Sequence, residues 1–71
     1  MNGLIQDKLK QLPTKPGVYQ FFNTDEKIIY IGKAKNLRNR VRSYFQSKKY
    51  QQAKTISLVR NITDLEWIVV R

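Results

Sequence analysis

The 71-residue sequence predicts a small α+β domain, a three-stranded antiparallel or mixed sheet flanked by helices, and three observations carry that expectation. Apolar residues recur at helical spacing in three separate stretches. Three short runs rich in β-branched and aromatic residues are bounded by Pro, Gly, Asn and Asp, as strands are. The length allows one domain only, and a chain this short buries about 60% of the surface its unfolded form exposes. Its 41% hydrophobic content suits a single small core.

Leu4, Ile5, Leu9 and Leu12 recur at helical spacing and Pro13 closes the segment, so an amphipathic helix is expected over residues 3–11. Pro13-Thr14-Lys15-Pro16-Gly17 reads as a stiff, extended lead-in to a strand. Val18–Phe22 and Ile28–Ile31 read as the two arms of a hairpin joined by the turn-like Asn23-Thr24-Asp25-Glu26-Lys27. Period two sets Tyr19 and Phe21 on one face and Val18, Gln20 and Phe22 on the other; by the same rule Ile28 and Tyr30 share a face opposite Ile29 and Ile31. Tyr19 and Tyr30, at related ends of paired strands, can therefore meet. Gly32 is expected to end the second strand, either as a turn glycine or where a phosphate approaches the backbone.

Asn36 is a fair N-cap for a helix running to about Gln46, with Leu37, Val41, Tyr44 and Phe45 on its apolar stripe. Arg38 and Arg42 fall on the solvent side as an i, i+4 pair, and Arg40 lies at the stripe's edge, within reach of the hairpin. Ser47-Lys48-Lys49 reads as a loop and Gln51–Ile62 as another helix, with Ile56, Val59 and Ile62 as its buried spine. A turn at Asn61–Asp64 leads to a last strand, Leu65–Val70, in which Trp67 reads as core or sheet-edge packing, with base stacking the lesser alternative.

Fourteen Lys and Arg against five Asp and Glu give a formal charge of +9, and no acidic residue occurs between Lys27 and Asp64. A one-signed field over half of a small domain attracts nucleic acid or an anionic membrane. The membrane is the weaker option, because no apolar run is long enough to span and no lipidation motif is present. The first residues also lack the apolar stretch of a secretory signal. A soluble, cytosolic, nucleic-acid-facing monomer is expected, since such a charge repels its own kind. With no cysteine or histidine, disulfides, thiolate metal sites and imidazole bases are excluded within this chain. Its chemistry must use Tyr, Lys, Arg, Asp or Glu.

Tyr30–Phe45 packs five cations and two tyrosines into sixteen residues. Phosphate suits such a run, since Arg offers a bidentate fork, Lys a point charge and Tyr a neutral hydroxyl. A solvated basic helix behind an ordinary hairpin is the plainer alternative.

Leu12-Pro13-x-x-Pro16-Gly17-Val18-Tyr19, then Ile29-Tyr30-Ile31-Gly32-Lys33-Ala34-Lys35-Asn36-Leu37, then Arg38-Asn39-Arg40-Val41-Arg42-Ser43-Tyr44-Phe45 together resemble the GIY-YIG nuclease superfamily, and within it the N-terminal nuclease domains of bacterial excinuclease C subunits. The resemblance covers nearly the whole chain and implies the GIY-YIG fold. It also implies a DNA endonuclease that hydrolyses a phosphodiester bond with Mg2+ or Mn2+, beside a lesion in nucleotide excision repair, together with damage-loading subunits. By residue, it implies Tyr19 and Tyr30 as the motif tyrosines, with Tyr30 next to the attacking water. Lys33, Arg40 and Tyr44 fall on its phosphate-contacting positions, Gly17 and Gly32 on its backbone-shaping glycines. Lys35, Asn36, Arg38 and Arg42 complete the expected DNA-facing set. A free tyrosine has a pKa of about 10, so a tyrosine base needs cations or metal-bound water to favour its phenolate.

The family's metal-holding glutamate lies on a helix after the last strand, and its later asparagine lies further on; the sequence ends at Arg71, before either. Glu66 does not match that glutamate, because it sits between Leu65 and Trp67 within the strand. No metal ligand is therefore expected in this chain, and a C-terminally truncated domain that folds, binds DNA weakly and cleaves poorly is the expectation. A non-catalytic basic nucleic-acid module, or a nuclease of the same superfamily from another repair protein, are the alternatives.

Overall fold

The structure, a computed structural model, describes residues 3–46 and 52–71. Three helices and three strands follow the order α1 (Gly3–Gln11), β1 (Gly17–Phe22), β2 (Ile28–Ala34), α2 (Leu37–Phe45), α3 (Ala53–Asn61) and β3 (Asp64–Val69). The strands form one sheet in the order β2-β1-β3, antiparallel throughout. Inward-facing Tyr19 and Phe21 of the central strand join Ile5 and Leu12 from the α1 segment, Leu37 and Val41 from α2, and Ile62 and Leu65, in one buried cluster. The loop expected at Ser47-Lys48-Lys49 lies outside the described residues.

The hairpin turn is organised by Asn23, whose Oδ1 accepts the N–H groups of Asp25 (3.0 Å) and Lys27 (3.1 Å). Glu26 closes it at φ 61°, in the left-handed region. Just beyond, the register shifts: Phe22 pairs with Ile28 but Phe21 pairs with Tyr30, so Ile29 is a bulge residue without a partner. The bulge corrects the simple alternation expected for β2. Cross-strand partners share a face, so Ile28 lies on the Phe22 side of the sheet and Tyr30 on the Phe21 side.

Gly32 does not end β2, which continues to Ala34. It pairs with Tyr19 inside the ladder, and its φ is not positive. The reason for glycine is space: a Cβ there would run into the ring and hydroxyl of Tyr19, with Cε1 at 2.9 Å. Gly17 answers a similar demand, because a Cβ would strike the Ile68 carbonyl of β3 and come within 2.7 Å of Leu37 Cδ1.

The lead-in to β1 also starts α2. Lys15 and Pro13 offer their carbonyls to the N–H groups of Leu37 and Arg38, both at 3.0 Å, satisfying two donors that a helix start leaves open. Asn36 caps the same turn through Asn39 N–H at 3.1 Å. Arg38 and Arg42 do not project into solvent as an exposed pair. Arg38 Nε donates to the Leu12 carbonyl (2.7 Å) and Arg42 Nη2 to the Leu9 carbonyl (3.3 Å), so both hold the end of α1. On its other side Lys8 Nζ reaches Asp64 (2.7 Å), Glu66 (3.2 Å) and the Leu65 carbonyl (3.0 Å) on β3. Burial acts to lower the Lys8 pKa, but the hydrogen bonds to Asp64 and Glu66 outweigh it and the net direction is upward.

α3 keeps Val59 and Ile62 of its expected spine and uses Leu58 in place of Ile56. Leu58 and Val59 reach the core, Ile62 is buried as the C-cap, and no residue within the helix is fully buried. It lies along α2 as an outer layer.

Candidate active site

Tyr19, Tyr30 and Tyr44 come from three different elements and gather on one side of the sheet. Their ring centroids are 6.2 Å (Tyr19–Tyr30), 5.9 Å (Tyr19–Tyr44) and 6.2 Å (Tyr30–Tyr44) apart, with Phe21 5.1 Å from Tyr44 beneath them. These separations are in the range where tilted and edge-on aromatic pairs attract. The absence of a side chain at Gly32 makes room for the Tyr19 ring, and the pairing of Tyr30 with Phe21 sets Tyr30 on the same side.

The three phenols are not equivalent. Tyr19 is 1% exposed and its hydroxyl shares a 2.9 Å hydrogen bond with that of Tyr44. Tyr30 is 41% exposed and presents its ring to solvent. Burial, then the bond to Tyr19, pushes the Tyr44 pKa far above the ordinary tyrosine range, although Arg40 acts the other way. Tyr44 therefore keeps its proton at neutral pH and can donate it in a hydrogen bond. Arg40 places its guanidinium carbon 5.3 Å from the Tyr44 ring centroid, a cation–π distance. The Tyr19 hydroxyl and then Tyr44 favour its cationic form further.

An open hollow of roughly 580 Å3 lies over this group. One wall is Tyr30, Arg40, Ser43 and Tyr44; the other is Gln52, Lys54, Thr55 and Leu58, at and just after the start of α3. Every described lining residue is neutral or cationic. The α3 wall is the part that the sequence did not reveal, because nothing local in Gln52–Leu58 distinguishes it from a solvated helix face; only tertiary packing turns it toward Arg40.

Of the other expected site residues, Lys33 stands apart. It pairs with Val18, one step on from the Tyr19–Gly32 pair, and so lies on the sheet face away from the tyrosines. Lys35 is exposed, and the Asn36 side chain is engaged as the cap of α2. Arg38 and Arg42 are engaged with α1.

A central strand carrying Gly17-Val18-Tyr19, antiparallel to an edge strand carrying Tyr30-Ile31-Gly32 and followed by an arginine-bearing helix that returns Arg40 and Tyr44 to the tyrosines, defines a GIY-YIG domain. The family described as UvrC-like GIY-YIG domain matches residues 15–71, and the chain belongs to it. It is 57% identical over 67 residues to UvrABC system protein C of Bdellovibrio bacteriovorus, covering 94% of this chain and 11% of that protein. It is 56% identical over 69 residues to UvrABC system protein C of Streptococcus sanguinis, covering 97% of this chain and 11% of that one. The chain thus spans about a tenth of the curated relatives it matches. Among solved structures, the GIY-YIG N-terminal endonuclease domain of UvrC from Thermotoga maritima bound to magnesium superposes with a TM-score of 0.82 at 42% identity, covering all of this chain and 75% of that one.

The homologous domain holds its catalytic divalent cation, but the described residues here do not form a place for one. No group of three acidic, histidine or cysteine side chains lies together among them. Asp64 and Glu66 are paired with Lys8, and no carboxylate is among the described residues lining the hollow.

Proposed function

We propose that this chain is the DNA-facing half of an endonuclease active site, which hydrolyses a phosphodiester bond beside a lesion in bacterial nucleotide excision repair. The observation that carries the reading is the Tyr19–Tyr44–Arg40 group beside an exposed Tyr30 at one rim of a hollow without a carboxylate. A phosphodiester entering it meets Arg40, whose fixed charge offsets the charge that grows on the phosphoryl oxygens, and Tyr44, which stays protonated and donates to one of them. Tyr19 takes no part in contacting the substrate; its buried hydroxyl fixes the orientation of Tyr44. Tyr30 is the phenol open to water and is the residue assigned to orient the nucleophile and, in its phenolate form with its own proton already given up to solvent, to accept the proton from it. Lys33 and Lys35 contribute positive charge along the rim of β2 and its end, with Lys33 approaching DNA from outside the tyrosine group.

Residues 1–71 act in this reading within a single GIY-YIG domain, of which the solved magnesium-bound example is covered to three quarters of its length. The parent works as a cytoplasmic bacterial protein, monomeric by charge repulsion, with damage-loading subunits that choose the site of incision. No described helix is long and apolar enough to cross a membrane.

Nicking of supercoiled plasmid in magnesium or manganese tests this, using the chain extended to the length of the solved domains. Tyr30→Phe and Arg40→Ala should each lower nicking by on the order of 100-fold or more while leaving DNA binding measurable. Variants that nick as well as the parent sequence would sink the assignment and favour a basic module whose tyrosines are only core.

A further inference from the structure

The hollow over the tyrosines has two walls, and only one of them carries the residues assigned to the chemistry. On the opposite wall Leu58 anchors its face of α3 to the core, so Lys54, one helical turn earlier on that face, looks into the space above Arg40 and Tyr44. Thr55 lies beside it and Gln52 precedes the helix. Lys54 is exposed and makes no ion pair among the described residues, and no acidic residue lines the hollow to neutralise it. Two cations on facing walls of one open cleft, with no counter-charge between them, form a site for more than one anion: Arg40 alone can serve the phosphate beside Tyr44. The volume of roughly 580 Å3 is that of a ligand cleft and leaves room beside that phosphate.

We propose that Lys54, supported by the Thr55 hydroxyl, binds the phosphate adjacent to the scissile one on the same DNA strand, making α3 the second side of the substrate cleft. The proposal rests on the endonuclease reading above and adds to it a backbone-gripping residue outside the motif strings. Lys54 is a binding residue in this scheme. It touches the DNA backbone away from the reacting atoms, so it sets how firmly and in what register the strand lies against Arg40 and Tyr30.

The test compares Lys54→Ala and Lys54→Arg in the full-length protein that carries this domain, measuring incision of a lesion-containing duplex against DNA concentration at several salt concentrations. Lys54→Ala should raise the DNA concentration needed for half-maximal incision by about five- to tenfold at low salt and reduce the salt slope by about one, with the maximal rate little changed. Lys54→Arg should restore both, since either cation serves a phosphate. Wild-type behaviour of Lys54→Ala at every salt concentration would overturn the proposal, as would an equal loss in Lys54→Arg with thermal stability unchanged. Tyr30→Phe run alongside separates the two ideas. If it abolishes incision while Lys54→Ala does nothing, the endonuclease reading stands and this one falls.

Discussion

At the scale of single residues, Gly32 shows how a motif letter can be right for a reason the sequence hides. The string Tyr-Ile-Gly suggests a strand that stops; the structure instead runs the strand through Gly32 and uses the missing side chain to seat the Tyr19 ring. Spacing alone could not distinguish a turn from a vacancy, because both demand glycine and only the cross-strand partner tells them apart. Gly32→Ala should therefore act as overpacking, lowering stability by about 1–3 kcal/mol and displacing Tyr19. Gly3→Ala is the matched control, since a Cβ there meets nothing within 4 Å and alanine favours the helix. Thermal melts of the two variants should move in opposite directions, and a Gly32→Ala protein as stable as the parent would refute the seating role. Tyr19 and Tyr30, by contrast, were legible as neighbours from period-two alternation; the Ile29 bulge, which the sequence does not signal, instead moves Ile28 to the opposite face from Tyr30.

Among the elements, α1 is the one whose attachment the sequence conceals. Its apolar periodicity predicts the helix and its bounds, yet not that three cations hold it: Arg38 and Arg42 from α2, and its own Lys8 reaching β3. Arginines at i, i+4 look alike on paper whether they face DNA or a helix end, because the partner carbonyls at Leu9 and Leu12 are backbone groups with no sequence signature. Arg38→Met should cost about 1–3 kcal/mol, as expected when a charged donor to a partly buried carbonyl is lost, and Arg42→Met less, given its 3.3 Å bond. Exposed Lys35→Ala should leave the melting temperature within error. If Arg38→Met melts with the parent while DNA affinity falls, the arginine belongs to the interface after all. Of the expected α3 spine, Val59 and Ile62 hold and only Ile56 gives way to Leu58, because a helix in an outer layer buries only a narrow edge and leaves Ile56 half-buried.

For the molecule as a whole, charge and pH act together. Lys8 and Tyr44 each hold their proton more tightly in the fold than in the unfolded chain. Below about pH 10 both are protonated in either state, so their contributions are fully present; as pH rises past that, the unfolded chain gives up its protons first and the stabilisation is lost. Melting temperatures of the parent and of a Lys8→Met/Tyr44→Phe double variant should keep a constant gap between roughly pH 7 and 9 and converge above about pH 10. A gap that widens there would contradict the assigned directions. Comparison with the double variant also removes the opposing effect of a declining +9, which eases self-repulsion as lysines discharge. One further property follows from the register of the sheet. Trp67, the chain's one tryptophan, is the β3 partner of Tyr19, on the far side of the central strand from Gly32. Its indole packs against the same core, so the domain carries an intrinsic fluorophore directly across the strand from the buried phenol beneath the candidate site. DNA added to the native chain should therefore shift its tryptophan emission with no dye attached, and an emission spectrum unchanged at saturating DNA would show that the two sites do not communicate.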